Sequence, residues 1–423
     1  MQIKNISKGI EGCYVKTPKF KTSRISINMF VKADEKEVSA YSLLQQILVR
    51  TTKDYPDFTS LNKYLKELYG ANLSGEIQKY GDVRVLRFVI SFINDNYTIN
   101  GEKISEKATD LLLSAIFDPA LENGHFKNDE IESNKRLLID EIESELNNKR
   151  LYAVSNTSKI MYEDEPAGIP LNGTVETVKK LTDEDLIFAH KKLLEEAFVR
   201  VNVISENEPD DIYNKIVDRF ETVNRNVEKV NVSKPHIAKE QPKIVEEQMD
   251  VTQGKLCLGF AIDSDNTLND YIVSQVFVNL YGGAPFSKLF VNVREKQSLC
   301  YYCAARLDYK KSTFMVDSGI LEENKNKAYD GILEQLEEMK KGNFTDDDIN
   351  ASKMALSDTV VAISDIIGDV DFWYLKHCFD NLKSVEDFLD KINKVTKEDI
   401  VNKANTVKLD TVYFLGGLKG DNA

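Results

Sequence analysis

A repeat within the chain limits what it can fold into. Thr182-Asp183-Glu184-Asp185-Leu186 opens a helical pattern that runs into the apolar stretch 199–204, and Thr396-Lys397-Glu398-Asp399-Ile400 opens another that runs into 412–415. In both, a threonine hydroxyl stands three residues before an aspartate, a pairing that satisfies backbone donors at a helix N-terminus. The order of elements agrees as well. Alternation predicts strands over 10–17, 24–31, 71–79, 83–92 and 198–204, with helices over 37–51, 59–69, 103–117, 128–147, 182–195 and 210–220. After residue 249, strands are predicted over 254–262, 299–308 and 312–320. Helices are predicted there over 268–281, 286–296, 324–340, 345–366, 370–381 and 385–392. Periodicity stops between 225 and 248, where Lys234-Pro235 and Gln241-Pro242 interrupt a run of charged residues. The expected organisation is therefore a duplicated α+β fold: one domain over 1–224, a linker over 225–248 and a second domain over 249–423. Each domain is expected to hold a mixed or antiparallel sheet of about six strands, with helices on one face.

Charge and composition remove several function classes. With 55 basic against 69 acidic residues the formal charge is −14, a field that repels a phosphate backbone, so nucleic-acid binding is not expected. No run approaches the roughly 18 apolar residues of a membrane span. Residues 1–8 carry no apolar run behind their first lysine, and no signal peptide is expected there. Five cysteines, an odd number, fit reduced thiols and a cytoplasmic location.

The usual catalytic patterns are missing. The four histidines, His125, His190, His236 and His377, are too far apart for any helix to offer two of them to a metal. No phosphate-cradling glycine loop and no G-x-S-x-G elbow occurs. Cys300 and Cys303 have CxxC spacing, but in a regular strand positions i and i+3 point to opposite faces, so both are expected to be packing thiols. Glu141 and Glu143 lie in an amphipathic helix and are expected on its solvated face.

One segment carries more. Residues 281–302 place Gly282-Gly283 before a helix, Arg294-Glu295 at its end, and Tyr301-Tyr302 on the following strand. This segment resembles the G-G-x-x-x-S-R-L-F-x-x-x-R-E-x-x-x-L-x-Y pattern in the second half of the pitrilysin/insulinase family, the inverted-motif zinc peptidases. Tyr69-Gly70-Ala71, Pro166-Ala167-Gly168, Asn172-Gly173-Thr174 and Thr182–Leu186 match further motifs of that family in the right order. The resemblance implies that Arg294 and Tyr301 contact a peptide substrate, with Tyr302 on the opposite strand face. A guanidinium can clamp a carbonyl or carboxylate with two bonds, and a phenol can donate to an oxygen on which charge develops.

The family's H-x-x-E-H metal motif is absent. On the corresponding helix Ser42 and Gln46 stand at the two ligand positions and Gln45 at the general base, while Glu132 is expected at the distal glutamate position. A hydroxyl and two amides are poor zinc ligands, and an amide takes no proton from water. The resemblance therefore implies a chain that holds no cofactor itself, since some family members divide zinc and the Arg/Tyr pair between two subunits. It is expected to be the non-zinc partner of a homologous zinc-bearing subunit, supplying Arg294 and Tyr301 in trans for peptide hydrolysis. The alternative is a non-catalytic scaffold or peptide-binding subunit, such as the core subunits of the respiratory bc1 complex.

Overall fold

The structure, a computed structural model, describes residues 1–227, 230–232, 234–380, 382 and 384–418. The described residues form two compact units, neither of them contiguous in sequence. The first comprises Met1–Glu143, Ile169–Asn231 and Ile363–Phe379, the second Ser144–Gly168, Val232–Ala362 and Asp380–Ala423.

The sheet of the first unit contains β1 (Gln2–Ser7), β2 (Ile10–Lys16), β3 (Thr22–Lys32), β4 (Asn72–Tyr80), β5 (Val83–Ile93) and β6 (Phe198–Ser205). They lie in the order β1-β2-β6-β3-β5-β4, all neighbours antiparallel except β2 and β6. Alternation gives β3 and β5 two characters. Ile25, Ile27, Met29, Leu86, Phe88 and Ile90 belong to the apolar core, which also takes in Leu43, Leu44 and Ile47 of helix Val38–Leu48 and Leu112 and Ile116 of helix Ile104–Phe117. The intervening Ser26, Asn28, Arg87 and, on β6, Asn202 are buried too. Helix Ile367–Lys376 covers them, packing against β3 and β6. Its Asp371 is fully buried and accepts from Ser26 Oγ at 2.6 Å, Asn202 Nδ2 at 2.9 Å, Arg87 Nη2 at 2.7 Å and Arg24 Nε at 3.0 Å. Two guanidiniums and two neutral donors compensate the desolvated carboxylate.

The sheet of the second unit contains β7 (Lys243–Met249), β8 (Gly254–Ala261), β9 (Cys300–Asp308), β10 (Thr313–Ile320) and β11 (Lys408–Gly417) in the order β9-β10-β8-β11-β7. Only β7 and β11 run parallel. Taken in chain order, β7 to β11 reproduce β2 to β6 in position and direction, so the duplication holds at the level of topology. The helices before β6 and β11 both start in capping boxes, Thr182 with Asp185 and Thr396 with Asp399.

Three of the differences from the sequence expectation bear on how the chain is organised. Lys243–Met249, inside the expected linker, is a strand and the counterpart of β2; residues 228, 229 and 233 of that linker lie outside the described residues. Helix Lys149–Met161 was not expected as a separate element, and it packs on β8 and β11 with Arg150 paired to Asp317 and Tyr152 Oη donating to Glu247 at 2.8 Å. Residues 144–168 thus fall in the unit of the second half, and 363–379 in that of the first, where contiguous domains over 1–224 and 249–423 would put each with its own half. Position 381, the end of the helix expected over 370–381, is outside the described residues, as are 419–423.

The segment that leads to β7 is tied to the second unit by ion pairs. The His236 ring lies between Glu165 at Nδ1 and Asp410 at Nε2, the latter at 3.1 Å. Lys239 Nζ is 3.3 Å from Asp410 and Lys311 pairs with Glu165.

Candidate functional site

The first candidate position lies in unit one, on helix Val38–Leu48. Ser42, Gln45 and Gln46 share one stretch of that helix, with Ser42 and Gln46 one turn apart on the same face. Ser42 is buried, and its Oγ has no hydrogen-bond partner among the described residues. The Gln45 amide is pressed against β4, so close to Gly75 that a Cβ there would stand 2.2 Å from Gln45 Nε2. Gln46 Nε2 donates to Glu141 Oε2 at 3.3 Å, and Asn172 Nδ2 donates to Glu141 Oε1 at 3.2 Å. The Asn172-Gly173-Thr174 motif supplies that second amide. Thr174 caps helix Val175–Lys180, and Gly173 at φ 76° lets the backbone approach Ser39, whose Oγ would lie 1.9 Å from a Cβ.

Glu132 takes no part in this cluster. Its carboxylate pairs with Lys135 on the same helix at 2.9 Å, and Glu141 is the acid brought to Gln46. Nine residues of α-helix turn through about two and a half turns, which sends the two carboxylates to opposite faces. Glu141 is exposed, as expected of a solvated face, and meets the Gln46 and Asn172 amides at the surface.

The cluster does not fit zinc. Of the four side chains at the motif positions, Ser42, Gln45, Gln46 and Glu132, only the last is anionic, and it pairs with Lys135, while the neighbouring Glu141 is engaged by two amides. Among the described residues no group of three His, Cys, Asp or Glu could hold a metal ion. Nor is there a base at position 45 to activate water.

The second candidate position lies in unit two. A widened helical turn, Leu289–Lys296, carries Arg294, and β9 carries Tyr301. Arg294 Nε donates to the Tyr301 carbonyl at 2.9 Å, and its guanidinium stacks 4.4 Å from the Phe290 ring. Both residues line an open pocket of about 570 Å³ together with Cys300, Leu321 and Asn324. Tyr301 is 59% exposed, and neither its hydroxyl nor the Arg294 Nη nitrogens hydrogen-bond to described residues. Tyr302 is half-buried, with the Arg150 guanidinium 4.2 Å from its ring centre.

A bulge shapes this pocket. Cys300 pairs with Ile320 and Tyr302 with Gly319, leaving Tyr301 as one extra residue in β9. The extra residue breaks the alternation, so Cys300 and Cys303 share a face, 9% and 3% exposed. The expectation that CxxC spacing separates them across the strand fails here, because it assumed a regular pleat.

The sequence pattern of the family described as "Peptidase M16 inactive domain" matches residues 180–356. A protein of Bacillus subtilis (strain 168) named "Probable inactive metalloprotease YmfF" is 33% identical over 420 residues, 99% of this chain and 98% of its own. The crystal structure of a conserved protein from Enterococcus faecalis V583 superposes with a TM-score of 0.92 at 25% identity, covering 100% of this chain and 99% of that one. A peptidase M16 inactive domain from Pseudomonas fluorescens matches at TM-score 0.80 and 15% identity over 100% and 99% of the two chains. With amides and a hydroxyl at its metal position, the chain belongs to the M16, or pitrilysin/insulinase, peptidase family as an inactive member.

Proposed function

We propose that this chain is the accessory subunit of a two-chain peptidase. It would pair with a homologous zinc-bearing subunit in the cytoplasm and present Arg294 and Tyr301 to the peptide being cleaved. The observation that carries this reading is the contrast between the two positions. The metal position has lost its ligands and base, whereas Arg294 and Tyr301 share a pocket with their Nη and hydroxyl donors unengaged by described residues. Donors of this kind suit a peptide carbonyl, and a neutral phenol suits an oxygen on which negative charge develops.

The test is peptide cleavage by this chain reconstituted with a sister chain of similar length that retains H-x-x-E-H. Tyr301→Phe removes one donor and little volume. It is expected to lower turnover about 100- to 1000-fold, or about 2.7–4 kcal/mol, with association unchanged. Arg294→Lys keeps the charge but loses the paired geometry, and is expected to impair turnover as well. If both variants assemble and cleave within about twofold of wild type, under 0.5 kcal/mol, the chain is a scaffold and not a contributor to the chemistry.

A further inference from the structure

We propose that Cys300 and Cys303 form a redox-sensitive dithiol, closed to an intramolecular disulfide by a low-molecular-weight disulfide that enters through the Arg294–Tyr301 pocket. The proposal does not depend on peptide binding there. It rests first on geometry. The bulge at Tyr301 turns both cysteines to one face of β9, both are buried there, and Cys300 is part of the pocket wall.

The environment gives the two thiols different roles. Interaction with the Cys303 thiol, helped by the Arg294 cation and opposed by burial, holds the Cys300 thiol below its ordinary value. The same interaction and burial push Cys303 well above it. Cys300 is thus the attacking thiol and Cys303 the resolving one, since reactivity follows thiolate character and access. Burial pushes Cys13 up to about 11 and Cys257 up to about 12, which leaves both poor competitors.

The chemistry balances in two exchanges. Cys300 gives its proton to solvent, and its thiolate attacks the incoming disulfide, breaking that S–S bond and releasing one small thiolate. Cys303 then loses its proton and attacks Cys300 Sγ, expelling the second small thiolate. Two protein thiols lose two electrons, and the reagent disulfide becomes two thiols once its thiolates take up protons.

Closure also has a mechanical consequence. A disulfide needs Cα atoms within about 7 Å, whereas three residues of regular strand span about 10 Å. The bond must therefore tighten the bulge at Tyr301, whose carbonyl accepts from Arg294. Oxidation is expected to displace both residues that define the pocket.

The experiment treats the full chain with glutathione disulfide. Wild type is expected to become two hydrogens lighter, with peptide mapping joining Cys300 to Cys303, and a reductant should reverse both changes. Cys303→Ser is expected to accumulate the mixed disulfide at Cys300, and Cys300→Ser to show neither product. Alkylation should modify Cys300 at least about tenfold faster than Cys13 or Cys257. The proposal is overturned if wild type keeps both thiols, if it stops at the mixed disulfide, or if Cys300 joins a different cysteine. None of these readings involves peptide cleavage, so they stand or fall separately from the accessory-subunit role.

Discussion

At the scale of single residues, one helix face decides what this protein is. Ser42 and Gln46 occupy one side of helix Val38–Leu48, and the carboxylate beside them belongs to Glu141. Purified without chelators, the wild-type chain is expected to carry no stoichiometric zinc by metal analysis. The double variant Ser42→His/Gln46→His restores two imidazoles at i and i+4 beside an existing carboxylate, and is expected to bind about one zinc per chain. Adding Glu141→Gln should abolish that binding, whereas adding Glu132→Gln should leave it intact; the reverse pattern would return Glu132 to the site. The substituted ligand positions and the Arg294–Tyr301 pair were legible in the sequence because each is a residue type at a motif position. The acid that meets Gln46 was not. Choosing between Glu132 and Glu141 requires the rotational phase of a helix against its neighbours, which counting from a motif does not supply. The thiol pair was illegible for a related reason, since one inserted residue inverts strand alternation.

At the scale of elements, the polar face of the first sheet depends on helix Ile367–Lys376. Asp371 neutralises Arg24 and Arg87 and occupies Ser26 and Asn202 in a fully buried setting. Asp371→Ala leaves two cations facing a desolvated gap. It is expected to destabilise the first unit by about 3–5 kcal/mol, measured as a lowered midpoint of urea unfolding. Asp371→Asn retains an acceptor and should cost less; equal losses in the two variants would mean that charge is not what matters there. Most strands were legible, because β3, β5 and β6 alternate apolar and polar residues over long stretches. The strand Lys243–Met249 was not, because three of its seven residues are charged and as the edge strand next to β11 it buries little. Helix Lys149–Met161 ran on from its predecessor with only Asn148 between them.

At the scale of the whole molecule, proton binding adds a further handle. Burial opposes a charge on His236, but its hydrogen bonds to Asp410 and Glu165 prevail and raise it above its ordinary 6.5. Against the opposing effect of burial, His236 and Lys311 hold Glu165 down at about 2, and His236 with the Lys239 amide lowers Asp410. The histidine contribution is complete below 6.5 and fades as pH rises through the elevated value. The Glu165 contribution is complete above its ordinary 4.5 and fades as pH falls towards about 2. Thermal unfolding of the full chain is therefore expected to show a Tm that falls as pH rises above 6.5, by more in wild type than in His236→Gln; parallel slopes would exclude this anchor. Connectivity sets a different constraint, one of time. Asp371 is polymerised after nearly every strand of the second sheet, yet its place is on the first. While the ribosome is still working through residues 232–362, Arg87, Asn28 and Asn202 are without the helix that covers them in the finished protein. The first sheet thus reaches its native state only late in translation, and a fragment ending near residue 224 would be left permanently in that unfinished condition.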